Sequence, residues 1–234
     1  MQKADAVLQK KKDDRGINIM NDEIIIEVNE VFKKYDDATV LDNVSLEIEK
    51  GKIYGLVGRN GSGKTVLMKC ICGLIKPTSG EVKVAGKTVG KDVDIPEDIG
   101  VIIETPGFIP NYSGFKNLKL LASVRNKISN EEIRKSMEIV GLDPKSRKHV
   151  GKYSLGMRQK LGIAQAIMEK PKILILDEPM NGLDNESVVV VRKILKEQAE
   201  NGATIILASH NREDIDVLCD KVYTMDHGVI ECER

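Results

Sequence analysis

The sequence predicts an α/β fold built on a parallel sheet, with an antiparallel β portion toward the N-terminus and a helical insertion in the middle. Three observations predict it. The last third alternates strands and helices, with ILIL at 173–176, a helical run over 185–200 and TIILA at 204–208, and strands spaced by helices of that length form a parallel sheet. A glycine-rich turn, GRNGSGKT at 58–65, joins the strand IYGLV at 53–57 to the amphipathic run VLMKCICGLI. Between these regions the periodicity and the stop signals become helical.

The elements follow in order. Residues 1–22 are rich in Lys, Asp and Gln, include KKKDDR and carry a second methionine at Met20, which reads as a flexible tail or an upstream start rather than a specific basic arm. Residues 23–234 then form one domain. From Ile24 the chain settles into short β runs, IIIEV (24–28), VSLEI (44–48), IYGLV (53–57) and EVKVAG (81–86), several of them separated by Gly or Asp-Asn turns. GVIIETPGF at 100–108 is an apolar strand that ends in Glu104, just before a Thr-Pro-Gly breaker. A carboxylate there is either a solvated cap or a working group. Ser129 and Glu132 form a capping box for a helix through Val140, stopped by Gly141, and Gln159–Glu169 is a further helix before Pro171. The helical insertion is placed at about residues 105–165. A short helix near 212–219 and a hairpin across Asp226-His227-Gly228 complete the chain.

Composition limits the function classes. At 234 residues and 41% hydrophobic, the chain can bury a sizeable core. Lys plus Arg and Asp plus Glu both total 36, so no overall field attracts nucleic acid or an anionic membrane, and a polyanion must be held by a local site. Cys70, Cys72, Cys219 and Cys232 show no CxxC or metal-ligand spacing, and no signal-peptide pattern opens the chain, which reads as reduced thiols in the cytoplasm. Cys70 and Cys72 are small apolar fillers of their helix. The longest apolar runs are far short of the roughly 20 residues a membrane-spanning helix needs.

GRNGSGKT matches the P-loop pattern G-x-x-x-x-G-K-[ST], and the strand before it and the helix after it are the context that pattern requires. Gly58, Gly61 and Gly63 let backbone N–H groups from Gly58 through Arg59, Asn60, Ser62 and Thr65 close around phosphate oxygens, and the helix N-terminus adds its positive end. Lys64 supplies a charge to the β- and γ-phosphates, and Thr65 a hydroxyl to magnesium. ILILDE at 173–178 delivers two carboxylates at a strand's carboxyl end: Asp177 to hold the magnesium and Glu178 to polarise the attacking water. The plainer alternative is two acids capping a strand. His210 closes TIILASH at another strand end.

YSLGMRQKLGIAQAIM at 153–168 stands directly before the Asp177 strand, and there the chain resembles the ATP-binding cassette ATPases, over about residues 24–230. The resemblance implies a P-loop NTPase with a RecA-like parallel-sheet core, an N-terminal antiparallel β subdomain and an inserted helical subdomain. Ser154 and Gly156 match the serine and second glycine of the family's Leu-Ser-Gly-Gly-Gln signature, while Tyr153, Leu155 and Met157 depart from it. Family likeness implies that Ser154 and the N–H groups near Gly156 reach the γ-phosphate on the other subunit's P-loop, in a head-to-tail dimer (a homodimer or a pair with a similar subunit) holding two ATPs. It also implies that Tyr35 stacks on adenine, that Asp184 of NGLD crosses the dimer interface, and that His210 touches the γ-phosphate.

Rival classes lack support in the chain. Only about 90 residues separate Lys64 from Ser154, too few for the long coiled coil of structural-maintenance ATPases; there is one P-loop rather than two, and no Asn-Lys-x-Asp base-reading motif. The resemblance then points to a transporter's nucleotide-binding subunit, peripheral on the cytoplasmic face and paired with integral membrane permease subunits, with a soluble cassette ATPase that drives a non-transport conformational change as the alternative. IIETPGFIPNYSGFKNL and the Ser-Leu-Gly-Met signature resemble the bacitracin-resistance and lantibiotic-immunity exporters, with generic drug, lipid or sodium exporters as the competing assignment. Most of the family has glutamine where Glu104 stands; an ionised glutamate cannot donate a hydrogen bond but binds magnesium more strongly, so Glu104 is expected to couple magnesium occupancy to a membrane-facing loop at 105–117.

Overall fold

A computed structural model describes residues 23–233, so the expected tail at 1–22 lies outside the described residues. Strands β1 (Ile24–Tyr35) and β2 (Ala38–Glu49) form a long antiparallel hairpin, after which β3 (Ile53–Val57) enters a second sheet. Helix α1 (Lys64–Ile71) leads back to the first sheet through β4 (Ser79–Val84) and the short β5 (Lys87–Thr88), giving the order β2-β1-β4-β5. The runs IYGLV and EVKVAG therefore lie in different sheets. The chain continues through β6 (Ile99–Ile102), α2 (Gly114–Arg125), α3 (Asn130–Ile139), a 3-10 turn at Val150–Lys152 and α4 (Leu155–Ile167). It ends with β7 (Ile173–Asp177), α5 (Asn185–Glu200), β8 (Thr204–Ala208), α6 (Arg212–Leu218), β9 (Lys221–Asp226) and β10 (Val229–Cys232).

The second sheet has the order β10-β9-β3-β8-β7-β6, parallel except for β10, which pairs back on β9 across the expected hairpin. Its central strands β3, β8 and β7 are almost wholly apolar because both of their faces are covered, whereas β9 and β10 at one edge carry polar and exposed residues. Leu174, Leu176, Ile205 and Leu207 point into a core shared with α2 to α6, whereas Ile173, Ile175, Ile206 and Ala208 point into a core shared with α1 and the antiparallel sheet. Each large buried side chain contributes roughly 1.5–3 kcal/mol, which holds the strand ends where the site is built. Cys70 and Cys72 fill the second core, and burial pushes their thiols up to about 11 and about 12.

The helices between β6 and β7 agree with the capping logic in one place and exceed it in two. Both halves of the Ser129–Glu132 capping box are present at the start of α3. Helix α4 begins at Leu155, four residues before the expected Gln159, because the Ser154 side chain accepts the Met157 N–H at 3.2 Å. Gly156 and Gly162 lower helix propensity and hide that start in the sequence. Helix α2 is capped by Ser113, but with Leu120, Leu121 and Val124 exposed its pattern shows no clean apolar face. Two glycines bring β6 and its following loop onto α4. A Cβ at Gly100 would lie 2.1 Å from the Ala166 carbonyl oxygen, and one at Gly162 would lie 2.7 Å from Pro106 Cγ.

Candidate functional site

The parallel strands share one carboxyl edge, and that edge opens into a cleft of about 480 Å³ lined by Asn60 to Val66, Glu104 to Pro106, Arg158, Gln159, Asp177 and Glu178, among others. Its floor is the loop between β3 and α1. Gly58, Gly61 and Gly63 have φ of 150°, 79° and 109°, which side-chain-bearing residues rarely adopt, and a Cβ at Gly58 would lie 2.1 Å from the Met225 carbonyl oxygen. Gly63 caps α1 with no side chain of its own, so the helix's first N–H groups and its positive end are left for an anion.

Lys64 is 8% exposed and folds back, its Nζ donating to the carbonyls of Gly58 (2.7 Å) and Arg59 (2.9 Å). Burial lowers its pKa, against the opposing pull of Glu178 and Asp177. Thr65 Oγ1 donates to Asp177 Oδ2 at 2.7 Å, joining the first turn of α1 to the end of β7. Glu178 has a left-handed backbone, φ 50°, and its N–H is held by the Ala208 carbonyl at 2.9 Å. Its Oε2 lies 2.8 Å from His210 Nδ1.

Glu104, two residues beyond β6, also has a left-handed backbone, φ 59°. Its carboxylate is 64% exposed, borders the cleft, and pairs with Lys69 Nζ at 2.5 Å. Sequence reasoning missed Lys69, which sits five residues after Lys64 on α1. It also missed Gln159, whose buried Nε2 donates to the carbonyls of Glu178 (3.1 Å) and Pro179 (3.0 Å). A signal for Gln159 was available: it shares one face of α4 with Ile163 and Ala166, and a polar group on a buried stripe must find partners.

The remaining predicted residues lie elsewhere. Gly58, Arg59 and His210 line an adjoining cleft of about 280 Å³. Ser154, Gly156 and Asp184 line a third hollow, with Leu155 bordering both it and the main cleft. Asp184 caps α5 by accepting the Ser187 N–H at 2.8 Å, and its hydrogen bonds with Ser187 lower its pKa. Tyr35, at the end of β1, is 46% exposed with Lys33 Nζ 4.8 Å from its ring centre, and it does not line the main cleft. One chain therefore brings together the loop 60–65, Glu104, Asp177 and Glu178, with His210 joined through Glu178, and leaves Ser154, Gly156, Asp184 and Tyr35 outside.

A family model described as ABC transporter matches residues 41–181. The chain is 47% identical over 207 residues to YybJ of Bacillus subtilis (strain 168), named an uncharacterized ABC transporter ATP-binding protein, across 88% of this chain and 95% of that one. It is 43% identical to the bacitracin transport ATP-binding protein BcrA of Enterococcus faecalis, across 88% and 68% of the two chains. With the lantibiotic transport ATP-binding protein SrtF of Streptococcus pyogenes it shares 36% identity across 90% of each. Among solved structures, the ATP binding subunit of an ABC transporter superposes with a TM-score of 0.80 at 26% identity, covering 89% of this chain and 90% of that one. A dimeric post-hydrolysis ATP-binding cassette bound to ADP and Pi shares the fold, with a TM-score of 0.80 at 22% identity over 90% and 99% of the two chains. A P-loop aimed at a strand that ends in two carboxylates thus accompanies a family match over more than half the length: the chain belongs to the ABC transporter family, as an ATPase cassette.

Proposed function

We propose that this cassette powers the export of antimicrobial peptides or related toxic compounds through separate membrane subunits, hydrolysing ATP held between two cassettes. The observation that carries the chemistry is the convergence of Lys64, the Thr65–Asp177 contact and Glu178 on one cleft. ATP phosphates would enter against the first N–H groups of α1, and Lys64 would exchange carbonyl partners for phosphate oxygens. The hydroxyl of Thr65 and the carboxylate of Asp177 are hard oxygen donors, the kind magnesium takes when phosphates and water complete its shell, and Glu104 offers a further carboxylate on the same cleft. Magnesium would supply neutralisation of charge on the β- and γ-phosphate oxygens.

Glu178 would orient the attacking water and accept its proton, with His210 holding the carboxylate. Ser154 is exposed and caps a helix away from its own cleft, an arrangement that suits contact with a partner's γ-phosphate in a head-to-tail pair. Asp184 would cross the same interface, and Tyr35 would stack on adenine.

Among the described residues no helix is long and apolar enough to cross a membrane; the transport relatives support assigning the passage for cargo to permease subunits, with the cassette on their cytoplasmic face. The helical segment at about 105–165 would present exposed Ile109 and Pro110 to them, whereas Pro106 and Phe108 are half-buried against the cassette's own core. The bacitracin and lantibiotic transport relatives support the peptide class of cargo. The test is Glu178→Gln in the full chain. It should bind ATP, lose turnover and accumulate a nucleotide-trapped dimer; a fully active variant would remove Glu178 as the base. Purification from native membranes should recover an integral membrane protein, whereas recovery with a soluble assembly alone would indicate a non-transport ATPase.

A further inference from the structure

His210 lies between Ser209 and Asn211, and both neighbours are tied to the first turn of α6. Ser209 Oγ accepts the Asn211 N–H at 3.1 Å and donates to Asp214 Oδ2 at 3.2 Å, while Asn211 Oδ1 accepts the Glu213 N–H at 3.0 Å. Asp214 is 1% exposed, and a carboxylate so buried needs a charged partner. That partner comes from α5. Arg192 donates Nε (2.8 Å) and Nη2 (2.6 Å) to Asp214 Oδ1, and Nη1 to Glu213 Oε1 at 2.8 Å. The His210 side chain, by contrast, is 69% exposed, so the aim of its Nδ1 at Glu178 depends on the backbone turn that carries it.

We propose that Arg192 is a positioning residue for hydrolysis: through Asp214 and Ser209 it fixes the turn that directs His210 at Glu178, and it ties that turn to the helix capped by Asp184. The proposal rests on the roles given above to Glu178 and His210. Only a guanidinium gives buried Asp214 two donors at once in a fixed plane; a lysine keeps the charge and loses the geometry.

The test is ATPase kinetics on the full chain for Arg192→Ala, Arg192→Lys, His210→Ala and the Arg192→Ala/His210→Ala double variant, with Glu213→Gln as the exposed-arm control and thermal unfolding of each. Arg192→Ala should lower kcat by about ten- to a hundredfold, the scale on which misplacement of a reacting group acts, and leave KM within about twofold. Arg192→Lys should fall between it and the parent, and Glu213→Gln should stay near the parent. In the His210→Ala background, adding Arg192→Ala should cost little more. Equal losses in both backgrounds would overturn the proposal, because a merely structural role is indifferent to His210. If Arg192→Ala does not fold, the same comparison is made with Arg192→Lys. An impaired His210→Ala beside a fully active Arg192 variant would sink this proposal alone, while a fully active His210→Ala would sink the reading of the site as well.

Discussion

Neutralising Glu104 should separate the stability of the fold from its response to nucleotide. The carboxylate pairs with Lys69 at 2.5 Å, but the two side chains are 64% and 26% exposed. A pair so open to water contributes about 0.2–1 kcal/mol. The left-handed backbone at Glu104 costs a further ~1 kcal/mol, and Gln or Ala at the position retains that cost. Glu104→Gln and Glu104→Ala should therefore lose at most about 1 kcal/mol, which for a chain of this size lowers Tm by about 2–4 °C. Glu104→Gly relieves the backbone strain as it removes the pair, so its Tm should equal or exceed that of the Ala variant.

The functional consequence should be larger than the structural one. If Glu104 takes magnesium as proposed, Lys69 would compete with the ion for that carboxylate, so Lys69→Ala should lower the magnesium concentration that half-saturates ATPase activity, and Glu104→Ala should raise it. Both Glu104 variants should still bind a fluorescent ATP analogue, yet protect cells less well than the parent against a compound of the class proposed as cargo. Protection equal to the parent would end the coupling role. A Tm loss above about 8 °C would instead make the pair a structural staple, contrary to the exposure argument.

Two further outcomes follow from the geometry. Ser154→Ala removes a helix cap and should cost about 1 kcal/mol; Ser154→Asp keeps a cap but, in the proposed head-to-tail pair, would set a charge beside the partner's phosphate, so both should lose turnover while only the Ala variant melts earlier, and loss of ATP binding by the isolated chain would contradict the cross-subunit role. Gly100→Ala drives a Cβ to 2.1 Å from the Ala166 carbonyl, a backbone atom that cannot step aside, so β6 and α4 must separate at a cost of about 1–3 kcal/mol; an unchanged melting temperature would refute that packing argument.

What could be read from the sequence was local. GRNGSGKT carries its own strand, turn and helix within a few residues, and the alternating apolar runs reveal the parallel sheet because both faces of each strand are covered. Helix α2 was harder to see, since exposed Leu120, Leu121 and Val124 blur its periodicity, and the start of α4 was obscured by glycines that serve packing rather than propensity. The crossing of β4 back to the antiparallel sheet depends on pairing with β1, which is set by residues 47 to 58 positions upstream.

The contacts that hold the site in place were not legible for a related reason. Lys69–Glu104, Gln159–Glu178 and Arg192–Asp214 span 35, 19 and 22 positions, and each joins two separate parts of the fold that no local pattern links. Motifs supply the reacting groups, while these three pairs decide where the groups stand. Gln159 shows why that matters. It lies on the helix capped by Ser154 and hydrogen-bonds the backbone of Glu178 and Pro179, so a shift of α4 when a partner's phosphate meets Ser154 would be delivered to the residue proposed as the base. Glu178 has a strained left-handed backbone and a peptide N–H fixed to β8, which leaves its carbonyl side as the place where such a shift acts. Hydrolysis in one cleft would then depend on closure at the other through a single buried amide, a coupling that the P-loop and the Asp177 strand cannot supply by themselves.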